Sequence, residues 1–149
     1  MDSLKNQNIV VLKGGPGAER AVSLNSAAAV ANALRSLGAN VTEIDVHDEH
    51  FVIPEGTALA FNIIHGTFGE DGQLQSLLDA RGIPYTGEGE VGSRLAFDKI
   101  ASKERFEAAG VPTAKWEIVE KGDAPSLPLP FVVKPPREGS SVGVHIVED

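Results

Sequence analysis

Glu19, His65, Lys99, Lys134 and Ser140 are the residues of this chain whose types and neighbours fit them for chemistry. Glu19 lies in Gly14-Gly15-Pro16-Gly17-Ala18-Glu19-Arg20, a glycine-rich turn between a β-branched run, Ile9-Val10-Val11-Leu12, and a predicted helix. An acid at a helix start repels a pyrophosphate and suits an ammonium group. His65 heads His65-Gly66-Thr67-Phe68-Gly69-Glu70-Asp71-Gly72 directly after an apolar run, where glycine lets backbone approach a ligand. Lys134 closes Phe131-Val132-Val133 and precedes Pro135-Pro136-Arg137-Glu138-Gly139-Ser140-Ser141-Val142-Gly143. The amides of such a loop can wrap phosphate oxygens, and Lys99 and Lys134 add the fixed charge that a nucleoside triphosphate needs. No Gly-x-x-x-x-Gly-Lys-Ser/Thr occurs, so a nucleotide site here is not a P-loop.

Taken singly, each residue has a plainer reading: an acid favoured by the helix dipole, a structural histidine, solvated lysines. The elements that carry them change the balance. Ile9–Leu12, 41–46 and 59–64 read as strands, and Leu24, Ala27, Ala28, Ala31 and Leu34 mark one helical face between the first two, with Ser23 as N-cap and Gly38 as stop. This order predicts an α/β domain with a parallel sheet, whose ligands bind beyond the carboxyl ends of the strands. Glu19 and His65 both follow strands, and are therefore expected at one edge of that sheet. Asp71 is expected to cap a helix carrying Leu74, Leu77 and Leu78, and Asp98 a helix ending at Gly110. Ile83–Thr86, Lys115–Glu120, Phe131–Lys134 and a segment ending at Val147 read as further strands. A change of character near Val91–Asp98 divides the chain into domains at 1–95 and 96–149.

Composition narrows the partners. The 149 residues are 42% apolar and 23% charged, enough for a core, and the formal charge of -8 opposes nucleic acid and anionic membranes. There is no cysteine, which removes disulfides, thiolate metal sites and cysteine nucleophiles. No apolar run has the roughly 18 residues of a membrane span, and the first dozen residues lack signal-peptide character, so a cytoplasmic protein is expected. A dinucleotide site is a competing reading of the first turn, with Asp45 as ribose acceptor. Its fit is poor, because Arg20 stands where the fingerprint needs a third glycine.

Together the motifs resemble the D-alanine:D-alanine ligases of the ATP-grasp superfamily. Gly14-Gly15 with Ala18-Glu19-Arg20 and Val22-Ser23-Leu24 is similar to that family's first signature, and His65-Gly66 with Gly69-Glu70-Asp71-Gly72 and Gln75 to its second. Pro84-Tyr85-Thr86-Gly87, Asp98-Lys99 and Lys134-Pro135 with Arg137 to Gly143 follow in the family's order. The resemblance implies a Rossmann-like (pre-ATP-grasp) domain followed by the first, truncated lobe of an ATP-grasp fold. The activity it implies is ATP-dependent joining of two D-alanines, through an acyl phosphate, into the dipeptide used for peptidoglycan. By the same resemblance Glu19 binds the ammonium of the first D-alanine, Val22 and His65 lie near its methyl and carboxylate, and Ser140 links to Glu19. Lys99 and Lys134 bind ATP phosphates under the Ser140-Ser141 loop. Magnesium ligands are expected outside this chain, a homodimer is expected of the complete enzyme, and the 149 residues alone are expected to be inactive. A non-catalytic binding module derived from such a ligase is the alternative. Pro16, Gly17, Ala21, Ser76 and Glu88 depart from the family's usual residues, and none of them carries an assigned role.

Overall fold

Residues 4–149 are described by a computed structural model. The run Ile9–Leu12 is apolar at odd and even positions alike, the pattern of a strand covered on both faces. It forms the middle of β1 (Asn8–Gly14), flanked in parallel by β2 (Asn40–Val46) and β3 (Leu59–Asn62) in the order β2-β1-β3. Alternation along β1 then serves two layers. Ile9 and Val11 pack with Ala27, Ala31 and Leu34 of α1 (Arg20–Ser36), whose small side chains bring the helix close to the sheet. Val10 and Leu12 pack on the other side with Ile64, Phe68 and, from α2 (Gln73–Ala80), Leu74 and Leu78.

The remaining elements are α3 (Glu90–Phe97), α4 (Lys99–Ala108) and an antiparallel hairpin of β4 (Phe131–Val133) with β5 (His145–Val147). Asp98 caps α4 as expected, accepting from the amides of Ile100 at 2.9 Å and Ala101 at 3.2 Å.

Several local expectations are corrected. Ser23 is not an N-cap: α1 begins at Arg20 with Glu19 in the cap position, and Ser23 is fully buried inside the helix. Its hydroxyl accepts from the Gly14 amide at 2.8 Å and donates to the Ile63 carbonyl at 2.7 Å, so it closes the gap between two strand ends. Ala28 is exposed, and the buried stripe of α1 runs through Ser23, Ala27, Ala31 and Leu34. β3 stops at Asn62, whose side chain accepts the Ile64 amide at 3.0 Å, a local bond that competes with the ladder. The cap of α2 is Gly72, while Asp71 holds the preceding turn through the Phe68 and Gln73 amides. Ile83–Thr86 makes a single parallel bridge, Tyr85 to Ala60. Lys115–Glu120 is not a strand. Its Glu117 carboxylate instead collects the Ser126 amide and hydroxyl and the Leu127 amide, tying the segment to a loop. α3 fills the stretch at which the sequence changes character, a helix that the apolar periodicity there does not predict.

Candidate functional site

Two loops leave the sheet at its carboxyl edge, one after β1 and one after β3, and they touch. Glu19 stands at the head of α1 and makes no capping bond to its own helix, so its carboxylate is free to reach across. It lies directly over Gly66: a methyl group on that glycine would come within 2.8 Å of Glu19 Oε2, and Gly66 also has φ +68°. A methyl on Gly139 would lie 3.2 Å from the same oxygen. The hydroxyl of Ser140 donates to Glu19 Oε1. One carboxylate is thus enclosed by the first turn, the histidine loop and the Gly/Ser loop, segments far apart in sequence.

The histidine loop is braced from within. The amides of Asn62 and Gln75 both donate to the Gly69 carbonyl at 2.8 Å, and the Gly66 amide donates to Glu70 Oε2 at 3.0 Å. His65 Nδ1 lies 3.7 Å from Glu70 Oε1, beyond direct hydrogen-bond reach. Its Nε2 is buried and has no hydrogen-bond partner among the described residues. Val22, one helical turn from Glu19, is 54% exposed and offers an apolar wall beside the acid.

The Gly/Ser loop is tethered at its entry. Lys99 donates its amide to the Pro136 carbonyl at 2.9 Å and its ammonium to the Glu138 carbonyl at 2.5 Å. Arg137 donates to Asp98 Oδ2 at 2.8 Å, and this guanidinium, followed by the Ala101 amide, holds the Asp98 carboxyl below the ordinary range. Ser140 and Ser141 follow with φ of +48° and +63°, a curled backbone of the kind that turns successive amides inward. Lys99 and Lys134 line one cavity of about 260 Å³, walled by Ile100, Trp116, Phe131 and Val133. Glu117 and Lys103 also line it, the Lys103 ammonium donating to Thr113 Oγ1 at 2.8 Å and the Ala114 carbonyl at 2.9 Å, and lysines beside an apolar slot can hold the phosphates and the flat base of a nucleotide.

The structure therefore brings Glu19 and Ser140 together against the glycine that follows His65, while the His65 ring lines a neighbouring cavity with Glu70 and Gln75, and it brings Lys99 and Lys134 to another place, from which the loop of Ser140 and Ser141 reaches Glu19. Spacing did not reveal Gly66 and Gly139 as the cradle of the carboxylate, nor the second task of Asp98. Their partners lie tens of residues away, and only the glycines beside His65 and Ser140 hinted at a close approach. At the end of β2 both oxygens of Asp45 accept from Arg20, at 2.8 and 2.7 Å, so the expected ribose acceptor is engaged in an ion pair. No group of three or more metal-ligating side chains occurs among the described residues. Among the described residues no helix is long and apolar enough to cross a membrane.

Comparison with known proteins places this geometry. The family profile described as D-ala D-ala ligase N-terminus matches residues 52–88. The D-alanine–D-alanine ligase of Methylacidiphilum infernorum is 49% identical over 96% of this chain and 47% of its own length. That of Citrifermentans bemidjiense is 50% identical over all of this chain and 50% of its own. Among solved structures, the D-alanine–D-alanine ligase of Bacillus anthracis superposes with a TM-score of 0.85 at 32% identity, over 96% of this chain and 50% of that one. The Helicobacter pylori enzyme shares the fold, with a TM-score of 0.79 at 24% identity. The chain spans about half the length of the curated relatives it matches. By sequence and by fold it belongs to the D-alanine–D-alanine ligase family, of which it represents the N-terminal half.

Proposed function

We propose that this chain supplies the D-alanine-binding site and the phosphate loop of an ATP-dependent D-alanine:D-alanine ligase, with a substrate domain over 1–95 and the start of an ATP-grasp domain over 96–149. The observation that carries the reading is the Glu19 carboxylate, enclosed by Gly66, Gly139 and the Ser140 hydroxyl. Glu19 takes the ammonium of the first D-alanine, and His65 Nε2 takes its carboxylate before that group is phosphorylated. Val22 borders the methyl. Lys99, Lys134 and the amides of Ser140 and Ser141 hold the ATP phosphates.

The chemistry follows from that placement. A carboxylate oxygen of the first D-alanine attacks the γ-phosphorus of ATP, the bond to the β-phosphate oxygen breaks, and ADP leaves behind an acyl phosphate. The amine of the second D-alanine then attacks the carbonyl carbon and inorganic phosphate departs, leaving the dipeptide after loss of a proton. An acyl phosphate is open to hydrolysis, so the Gly/Ser loop that reaches from the phosphates to Glu19 serves to exclude water as well as to bind. The metal that such phosphoryl transfers use would neutralise phosphate charge from groups outside this chain. Peptidoglycan precursor synthesis in the cytoplasm, by a homodimer in the longer protein, completes the proposal.

The test is ligand binding followed by NMR, with D-alanine and with ATP added separately to the chain and to its Glu19→Gln and Lys134→Ala variants. D-Alanine should perturb Val22 and His65 and lose that effect in Glu19→Gln, while ATP should perturb residues 134–143 and lose it in Lys134→Ala. Absence of both responses, or the same profile in both variants, sinks the two-site reading.

A further inference from the structure

Arg20 immediately follows Glu19, and the reaction just described gives it no task. Its guanidinium nevertheless makes the densest set of polar contacts at this edge of the sheet. Nη2 bonds both oxygens of Asp45 at 2.8 and 2.7 Å, and Nη1 bonds the Val46 carbonyl at 3.1 Å and approaches the Gly15 carbonyl at 3.4 Å. One side chain therefore ties the head of α1 to the ends of β1 and β2. The tie needs the backbone bare beneath it. A methyl on Gly14, where φ is +86°, would lie 2.4 Å from both Arg20 Nη1 and Asp45 Oδ1.

One turn further along the helix, buried Ser23 ties α1 to β1 and β3 through the Gly14 amide and the Ile63 carbonyl. Glu19 directly precedes the first of these anchors and makes no side-chain cap to its own helix. The backbone that the anchors hold starts its side chain toward Gly66 and Ser140, which meet its carboxylate. We infer that Arg20, acting through Asp45, is a positioning residue that fixes the first turn of α1 so that the Glu19 carboxylate meets the amino-acid ammonium, an inference that rests on the ligase reading above.

A stabilising role alone does not account for the contacts. The Arg20 and Asp45 side chains are 31% and 40% exposed, and an ion pair at that exposure contributes little to folding. Orientation is different: a displacement of about 1 Å at a binding group can cost on the order of a hundredfold in rate. The two roles separate in measurement. The planar fork of arginine is also what spans a carboxylate and two carbonyls together, a geometry that lysine lacks.

The experiment uses Arg20→Met, Asp45→Asn and the double variant, in the ligase that carries this segment and in the 149-residue chain. In the ligase, each single change should raise the KM for the first D-alanine about tenfold, with the KM for ATP within about twofold and the double variant no worse than the singles, as expected of one shared contact. In the chain, hydrogen exchange of the amides at 19–23 should accelerate while the amides of β1 keep their protection. An unchanged D-alanine KM, equal losses for D-alanine and ATP, or unaltered exchange at 19–23 overturns the inference. If the unmodified ligase does not use D-alanine at all, the functional reading fails instead, and the exchange result alone decides whether Arg20 holds the turn.

Discussion

The single charge at Glu19 is what an amino-acid ammonium would meet. Glutamine keeps the shape and removes the charge that pairs with an ammonium, and a charge-assisted hydrogen bond is worth about 1.5–3 kcal/mol. Glu19→Gln should therefore lower kcat/KM for the first D-alanine by roughly ten- to a hundredfold in a ligase carrying this segment. Lys134→Ala should raise the KM for ATP by a comparable factor and act much less on the first D-alanine. Steady-state kinetics with each substrate varied in turn checks both, and a matching profile for the two variants refutes separate sites. The strand-end placing of Glu19 and His65 was legible because each follows an apolar run beside glycine, and Lys134 with Ser140 drew notice because an apolar strand runs into a Gly/Ser loop; Lys99, at the start of α4, had no such local mark. The convergence of Gly66 and Gly139 on one carboxylate was not legible, since it depends on how two loops fold toward each other. Arg20 was misleading in sequence: it spoils a dinucleotide fingerprint, and only the structure shows what it does instead.

Among the elements, α1 and α4 show two kinds of polar anchorage, and each gives a prediction. Ser23→Ala would leave the buried Gly14 amide and Ile63 carbonyl without their partner, a loss of about 1–3 kcal/mol. In a domain of this size that is a fall in Tm of roughly 2–4 °C per kcal/mol, measurable by differential scanning calorimetry. An unchanged Tm would mean that water replaces the hydroxyl. Serine before an apolar helical run reads naturally as a cap; periodicity cannot say that the helix starts a turn earlier when the serine is needed between two strand ends. Asp98 was read correctly as a cap, but its other oxygen also holds Arg137. Asp98→Ala should cost about 0.5–2 kcal/mol through the cap, whereas Asp98→Asn should keep most of that and release Arg137. The pH dependence has a definite sign. Because the folded carboxyl titrates below its ordinary value of 3.8, its contribution is complete above that value and disappears as pH falls through the lower folded value. Thermal melts of wild type and Asp98→Ala should therefore differ at pH 7 and converge in strong acid, and a gap that persisted there would exclude the ionised Asp98 as its source.

For the whole molecule, the two sheets are unequally protected. β1 is covered on both faces, and the core around it contains Leu12, Val46, Ile64, Leu74 and Leu78 at no more than 2% exposure. The β4–β5 hairpin has only two strands, with its paired Val132 and Ile146 at 50% and 69% exposure and Ile118 at 62%. Such a hairpin is marginal by itself, and its edges offer unpaired backbone to another chain. Apolar runs at Phe131–Val133 and Ile146–Val147 made these strands legible, because β-branched residues bounded by proline and glycine have few other readings. The exposure of one face was not legible, since a strand sequence does not say what covers it. As a 149-residue chain the protein should consequently self-associate with rising concentration through this hairpin. Light scattering coupled to size exclusion should show the average mass climbing, and Val132→Lys with Ile146→Lys should return it to the 15.7 kDa monomer while leaving the Tm of the β1 core unchanged. Charged residues on an exposed edge are the means by which natural sheets avoid this contact. A wild-type chain that stays monomeric at every concentration, or an association that the two lysines do not relieve, would show that the hairpin face is not the contact.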